Sequence, residues 1–66
     1  MRIEKLTVIY QGHSAPVYEL GVGNVEKITF SASEGGVEFK IDYTDGSYKY
    51  IGAREYIAEC NNEQNN

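Results

Sequence analysis

Hydrophobic and polar positions alternate most strictly over residues 37–43. Every second residue there is apolar or aromatic, and the residues between them are Glu38, Lys40 and Asp42. Side chains of a β-strand project alternately to its two faces, so this period of two predicts a strand with one buried face. A second extended segment follows at residues 48–51, after the sequence Thr-Asp-Gly-Ser. The two segments together predict a β-hairpin.

The Asp45-Gly46 pair is the predicted turn of this hairpin. Asp-Gly suits a two-residue type I′ turn, because both central residues of that turn have positive φ. Such a loop pairs Tyr43 with Tyr48 and Asp42 with Lys49. It also fixes which side chains share one face of the hairpin, a face that is either core or interface. That predicted face consists of Val37, Phe39, Ile41, Tyr43, Tyr48 and Tyr50.

Three further strands are predicted before the hairpin. They cover residues 3–10, 17–20 and 25–31, with Leu6, Val8 and Tyr10 on one side of the first strand. Residues 11–16 contain glycine and proline and predict a loop of moderate length. Five short strands separated by turn signals predict a mainly β fold. We expect a five-stranded antiparallel meander or, if the meander curls, a small barrel.

The residues after Ile51 allow two interpretations. Ala53, Ile57 and Cys60 recur at the spacing of one helical face, which favours a short helix over residues 53–60. Two glutamates four residues apart would repel each other on that helix, and so short a helix is marginal without packing support. The alternative is a single helical turn followed by an edge strand over residues 56–60. Of the two interpretations, we favour the helix.

Length and composition restrict the class of protein. The chain has 66 residues, with 6 basic and 10 acidic side chains and one cysteine. We expect a single domain over residues 1–60 and a disordered polar tail over residues 61–66. One cysteine cannot form an intramolecular disulfide, and no apolar run is long enough to cross a bilayer. These features predict a cytoplasmic protein with no membrane partner. The net charge of −4 also makes nucleic acid an unfavoured partner, because its binding needs clustered lysine and arginine.

Few residues could carry catalysis or bind a metal. His13 and Ser14 are adjacent in a predicted loop, where neighbouring residues rarely reach the geometry of a catalytic pair. One histidine and one cysteine cannot supply the four ligands of a structural zinc site. Residues 42–46 begin like a calcium-binding loop, but the predicted hairpin accounts for them. We therefore expect no enzymatic activity, no metal and no cofactor.

The six tyrosines allow three interpretations. They could fill the core of a small β domain, anchor a protein interface, or stack against the bases of single-stranded nucleic acid. Stacking on nucleic acid also needs nearby basic side chains, and only three lie close to these tyrosines along the chain. We predict that some of the tyrosines contact a partner protein. The predicted contact residues are Tyr48, Tyr50 and Tyr56, with Glu38 and Asp42 as a secondary charged patch.

Small size also favours self-assembly. A core of this size supplies only ~3–5 kcal/mol, and no disulfide supplements it. Pairing exposed strand edges or aromatic faces across a two-fold axis would protect them from other contacts. We therefore predict a homodimer.

Two resemblances extend this interpretation. The order of elements from Val37 onward, with the Asp-Gly hairpin, Ile51, a one-turn helix and Tyr56-Ile57, resembles the second half of SH3-like small barrels. In size, acidity and tyrosine content the chain resembles short accessory proteins of bacterial viruses and prophages. That second resemblance implies a small inhibitor that blocks a host protein or an antiviral-defence complex by covering its surface. The alternative function is a small barrel that binds single-stranded nucleic acid or serves as a subunit of a larger assembly.

Overall fold

The computed structural model describes residues 2–61, apart from the side chains of three residues, Ser14, Ala15 and Ser33. Within this range the chain forms six β-strands in two three-stranded antiparallel sheets. The strands are β1 (Arg2–Tyr10), β2 (His13–Glu19), β3 (Val25–Ser33), β4 (Gly36–Tyr43), β5 (Tyr48–Ala53) and β6 (Glu55–Asn61). Sheet I has the order β2-β1-β6, and sheet II has the order β3-β4-β5. The predicted mainly β class is confirmed.

The segment predicted as a helix is the sixth strand. β5 ends at Ala53, Arg54 forms a bend, and β6 begins at Glu55, so the chain passes directly from sheet II into sheet I. The helix prediction and the count of five strands are therefore wrong, and the edge-strand alternative was the better one. The physical reason is non-local, because pairing with β1 gives β6 hydrogen bonds that an isolated short helix lacks. Of the predicted tail, residues 62–66 lie outside the described residues.

The β4–β5 hairpin turns through a three-residue loop. The Tyr43 amide donates to the Ser47 carbonyl at 2.8 Å, and the Gly46 amide donates to the Tyr43 carbonyl at 3.0 Å. Of the predicted turn pair only Gly46 has positive φ, at 90°. A tight turn closed by one left-handed glycine is the usual three-residue hairpin loop with a bulge. The predicted type I′ turn is therefore wrong, and Thr44 belongs to the loop.

This extra loop residue shifts the register of β5 by one. Lys40 lies opposite Tyr50, and Phe39 lies opposite Ile51. A shift of one residue moves every side chain of a strand to the other face, because the side-chain period is two. The predicted placement of Tyr48 and Tyr50 on the same face as Phe39 is therefore wrong. The observed register places Ile51 beside Phe39 in the interior, whereas the predicted one would have put it outside with Lys40.

The hydrophobic core lies between the two sheets. The ring of Phe39 is at its centre, with its centroid 5.0 Å from that of Tyr56 in sheet I and 6.2 Å from that of Phe30 in sheet II. A polar contact also joins the sheets, since Lys49 Nζ lies 3.3 Å from the Tyr18 hydroxyl. The buried hydrophobic side chains are Ile3, Leu6, Val8, Val25, Ile28, Phe39, Ile41 and Ala53.

The first hairpin is tighter than predicted. Tyr10 lies opposite His13, so only Gln11 and Gly12 remain between β1 and β2. Both have positive φ, 51° and 81°, which is the type I′ geometry. Further along β2 the register shifts at Pro16, a bulge position that does not need the amide that proline lacks. Part of the predicted 11–16 loop is therefore strand.

No helix that could span a membrane occurs in the part of the chain that the structure describes.

Candidate protein-binding surface

The outer face of sheet II carries most of the residues that the sequence analysis proposed for partner contact. Residues directly opposite each other in antiparallel strands project to the same side, so the register defines this face. We call it the tyrosine face. It consists of Lys27, Thr29 and Ser31 of β3, Glu38, Lys40 and Asp42 of β4, and Tyr48, Tyr50 and Gly52 of β5.

Tyr48 and Tyr50 form an aromatic pair at the edge of this face. Their ring centroids are 5.7 Å apart and the rings are inclined at 77°. This edge-to-face arrangement is one that aromatic rings prefer, and alternate residues of one strand can form it without distortion. Each side chain remains 57% exposed. The pair is therefore ordered by its own contact and still open to a partner.

Lys40 orders the two rings further. Its Nζ lies 4.7 Å from the Tyr48 ring centroid and 6.0 Å from the Tyr50 centroid. The same atom is 3.6 Å from Asp42 Oδ1. An exposed cation–π contact contributes about 0.5–1 kcal/mol, and an exposed ion pair contributes about as much or less. These contacts restrict the side chains before any partner arrives, which lowers the entropy lost on binding.

The fifth predicted contact residue lies elsewhere. Tyr56 belongs to β6 and lies opposite buried Val8, so its ring faces the interior. It packs edge-on against Phe39 at 76° and is 38% exposed. The structure therefore places Tyr56 at the margin of the core, away from the tyrosine face. The predicted helix concealed this arrangement, because a helix has no strand pairing from which to infer a face.

Lys40 contacts both tyrosine rings and was not among the predicted contact residues. The sequence of β5 indicates its position: Ile51 and Ala53 occupy one face of the strand, and Tyr48 and Tyr50 occupy the other. Burying the two aliphatic positions sends both tyrosines outward and puts them on the Lys40 side of β4.

The depressions on the face suit protein contact better than a small ligand. A shallow groove of about 160 Å³ crosses it, smaller than the ~300–1,000 Å³ of typical small-molecule sites. A larger groove of about 870 Å³ borders the tyrosine face along β3 and shares Lys27, Thr29, Lys40 and Asp42 with it. That groove is open to solvent and extends the depression on the face toward β3. The grooved face is consistent with contact by a macromolecule.

The other residues with reactive or ionisable side chains that the sequence offers lie outside the tyrosine face. Cys60 is exposed on β6, with its Sγ 3.9 Å from the Ala58 carbonyl oxygen, and His13 is exposed beside the first turn. Asp45 Oδ1 accepts hydrogen bonds from Ser47 Oγ at 2.6 Å and from the Ser47 amide at 2.9 Å. These bonds, the hydroxyl first, lower the pKa of Asp45. Among the described residues, no group of three or more His, Cys, Asp or Glu side chains could hold a metal ion.

Comparisons with protein-family models, curated proteins and solved structures found no match for this chain.

Proposed function

We propose that the chain is a non-enzymatic protein-binding module that uses the tyrosine face. The observation that carries the proposal is the pair Tyr48 and Tyr50, each 57% exposed yet held by contacts with each other and with Lys40. Tyrosine is enriched at the centres of protein interfaces, because it combines a large apolar ring with a hydrogen-bonding hydroxyl. Glu38 and Asp42 on the same face would contribute orientation and partner selection.

We further propose that binding inhibits the partner by covering its surface, and that the partner is a host or antiviral-defence protein. Small size, acidity and the resemblance to phage accessory proteins support this part of the proposal. The SH3-like barrel also remains a proposal about architecture. The structure departs from this resemblance at Arg54, where a bend stands in place of the expected one-turn helix.

The test uses the tagged chain as bait in a bacterial lysate, with partners quantified by mass spectrometry. The Tyr48→Ser/Tyr50→Ser variant is compared with Tyr10→Ser, which changes a tyrosine of similar exposure, 51%, on sheet I. We expect one stoichiometric partner, lost with the double variant and retained with the control. Absence of a saturable partner, or its equal capture by the double variant, would contradict the proposal.

One observation favours a second function, the binding of single-stranded nucleic acid. Lys40 lies between two exposed tyrosine rings, and stacking surfaces for bases combine aromatic and basic side chains. Against it, Glu38 and Asp42 balance Lys27 and Lys40 on the same face. Fluorescence anisotropy with labelled oligothymidylate at low salt separates the two functions. Tight binding that weakens steeply with added salt would favour nucleic acid.

The predicted homodimer remains a separate proposal. The observed strand orders leave β2, β3, β5 and β6 at sheet edges, where a second copy could pair. A light-scattering concentration series tests this prediction. A monomer mass at high micromolar concentration would contradict it.

A further inference from the structure

The outer face of sheet I carries a strip in which two exposed aliphatic side chains flank a half-buried threonine. Val17 of β2 and Ile57 of β6 both lie opposite Thr7 of β1, one on each side. Each of the two aliphatic residues is 53% exposed. Opposite side chains on one sheet face have Cβ atoms about 4.5–5.5 Å apart, so the three form a continuous row. Half-buried Ile9, two residues along β1 on the same face, widens it.

Acidic side chains border this strip. In the adjacent row, Glu19 and Glu59 flank Lys5, and Glu55 lies opposite Ile9. Three carboxylates and one ammonium give the border a net charge of −2. Single exposed aliphatic residues are ordinary, but contiguous apolar patches with polar rims mark interaction sites. We call this surface, strip and border together, the aliphatic face.

We propose that the aliphatic face is a second protein-binding surface, and that its partner presents an apolar patch bordered by lysine and arginine. The charge of the border selects this partner, because an acidic rim attracts a basic one and repels an acidic one. A second copy of the chain fits less well, since facing two such surfaces would bring net charges of −2 together. The occupant is therefore a basic protein surface.

The aliphatic face can be occupied together with the tyrosine face. The two are the outer faces of different sheets, with the core between them. A standard interface covers about 800 Å² per partner. That is about one sixth of the 4787 Å² accessible surface of the chain. The proposal stands apart from the tyrosine face, and either surface could fail its test without the other.

The test measures amide chemical shifts of the isotopically labelled chain during titration with a defined probe. The probe is a synthetic peptide alternating valine and arginine, and the matched control peptide alternates valine and glutamate. We expect the arginine peptide to shift the amides of Thr7, Ile9, Val17 and Ile57. We expect the glutamate peptide to bind at least about tenfold more weakly, because the acidic border repels it.

Variants assign the binding to the aliphatic face. Ile57→Lys and, separately, Glu59→Lys should each weaken the arginine peptide about tenfold, a change of about 1.4 kcal/mol. Both positions are exposed, so the variants should keep the wild-type spectrum elsewhere. Tyr48→Ser/Tyr50→Ser should leave this titration unchanged.

Three results of the peptide titration would overturn the proposal. They are shifts confined to the tyrosine face, equal affinity for the two peptides, and undetectable binding of the arginine peptide to the wild-type chain. Self-association that Ile57→Lys abolishes would also overturn it, because the face would then belong to a second copy.

Discussion

The β1–β2 and β4–β5 hairpins turn through loops that differ by one residue. Gln11 and Gly12 alone connect the first pair of strands, and both residues have positive φ. The second pair uses a three-residue loop, in which the carbonyl of Tyr43 accepts the Gly46 amide and only Gly46 has positive φ. Both loops contain a left-handed glycine, yet they impose opposite parities on the strands that follow. A glycine-containing turn therefore permits more than one register.

The strands themselves select the register in the second hairpin. With the three-residue loop, Ile51 and Ala53 of β5 face the core beside Phe39 and Val37 of β4. The tyrosines of β5 then face solvent. A two-residue loop with the Tyr43–Tyr48 pairing would have exposed the two aliphatic residues instead. Burying aliphatic side chains outweighs the local preference of Asp-Gly for a type I′ turn. The tyrosine face is a consequence of that choice.

The largest effect is expected at the side chain around which this register is organised. Phe39→Ala removes a ring that is 1% exposed and that contacts both sheets. Phe→Ala in a core costs about 3–5 kcal/mol, comparable with the whole stability that a core of this size supplies. We expect the variant to be largely unfolded at 25 °C by circular dichroism and one-dimensional NMR.

Tyr50→Ala is the matched control, since it removes a ring from the neighbouring strand on the opposite face. Exposed substitutions usually change stability by no more than about 0.5 kcal/mol. Its thermal midpoint should stay close to that of the wild type. Equal losses in the two variants would mean that Tyr50 is a core residue, and the observed register would be wrong.

The next effect concerns the β3–β4 hairpin, where Ser33 lies opposite Gly36. Gly36 has φ 136°, and a Cβ there would lie 2.7 Å from the carbonyl oxygen of Ala53. Gly36→Ala must therefore strain the backbone and push β5 away, at a cost of about 1–3 kcal/mol. Urea denaturation measures this loss.

Gly35→Ala tests the same turn without the obstruction. A Cβ at Gly35 meets nothing within 4 Å. We expect a change of less than about 0.5 kcal/mol. If Gly35→Ala were as damaging as Gly36→Ala, general turn flexibility and not the close approach to Ala53 would explain both losses.

A smaller effect is expected when the β4–β5 loop is shortened to two residues, the length of the β1–β2 loop. Deleting Thr44 leaves Asp45-Gly46 as a two-residue loop that still joins Tyr43 to Ser47. We expect the register to persist, with a loss of about 1 kcal/mol because the 2.9 Å hydrogen bond from the Thr44 amide to the Asn24 carbonyl disappears. Nuclear Overhauser contacts between Lys40 of β4 and Tyr50 of β5 check the register. Burial of the tyrosines in this variant would show that loop length, and not the core, sets the pairing.

The two hairpins also show what could be predicted from the sequence. The alternation of residues 37–43 predicted a strand and its buried face, because apolar and polar side chains occupy alternate positions and therefore opposite faces. The position of Tyr48 required knowing the loop length, for which Asp-Gly allows two answers. The requirement to bury Ile51 and Ala53, which lie on the face opposite to the tyrosines, selects the three-residue loop.

The local sequence pattern did not predict that β6 is a strand. Ala53, Ile57 and Cys60 fit a helical spacing, and the partner that makes this segment a strand is β1, at the other end of the chain. Glu38, Asp42, Tyr48 and Tyr50 do share a surface, although the predicted register separated the carboxylates from the tyrosines. Tyr56 does not join them, since its ring packs on Phe39.

The smallest predicted effect separates the two turns by pH. Hydrogen bonds from the Ser47 hydroxyl and then the Ser47 amide lower the pKa of Asp45 from its ordinary value of 3.8. A pKa that is lower in the folded state makes the charged carboxylate stabilising. Its contribution is complete above the unfolded pKa and is lost as the pH falls through the folded pKa. Gln11 and Gly12 carry no ionisable side chain, so the first turn lacks this acid dependence.

We therefore expect an NMR titration to give Asp45 a midpoint below 3.8, with Ser47→Ala moving it back toward that value. Acid should speed the opening of the β4–β5 turn, measured by exchange of the Gly46 amide corrected for the intrinsic pH dependence. The effect should be smaller at the amide of His13, which pairs with Tyr10 across the first turn. An Asp45 midpoint that Ser47→Ala leaves in place would mean that the hydroxyl contact does not hold in solution. The three-residue loop would then depend on its backbone hydrogen bonds and on the burial of Ile51.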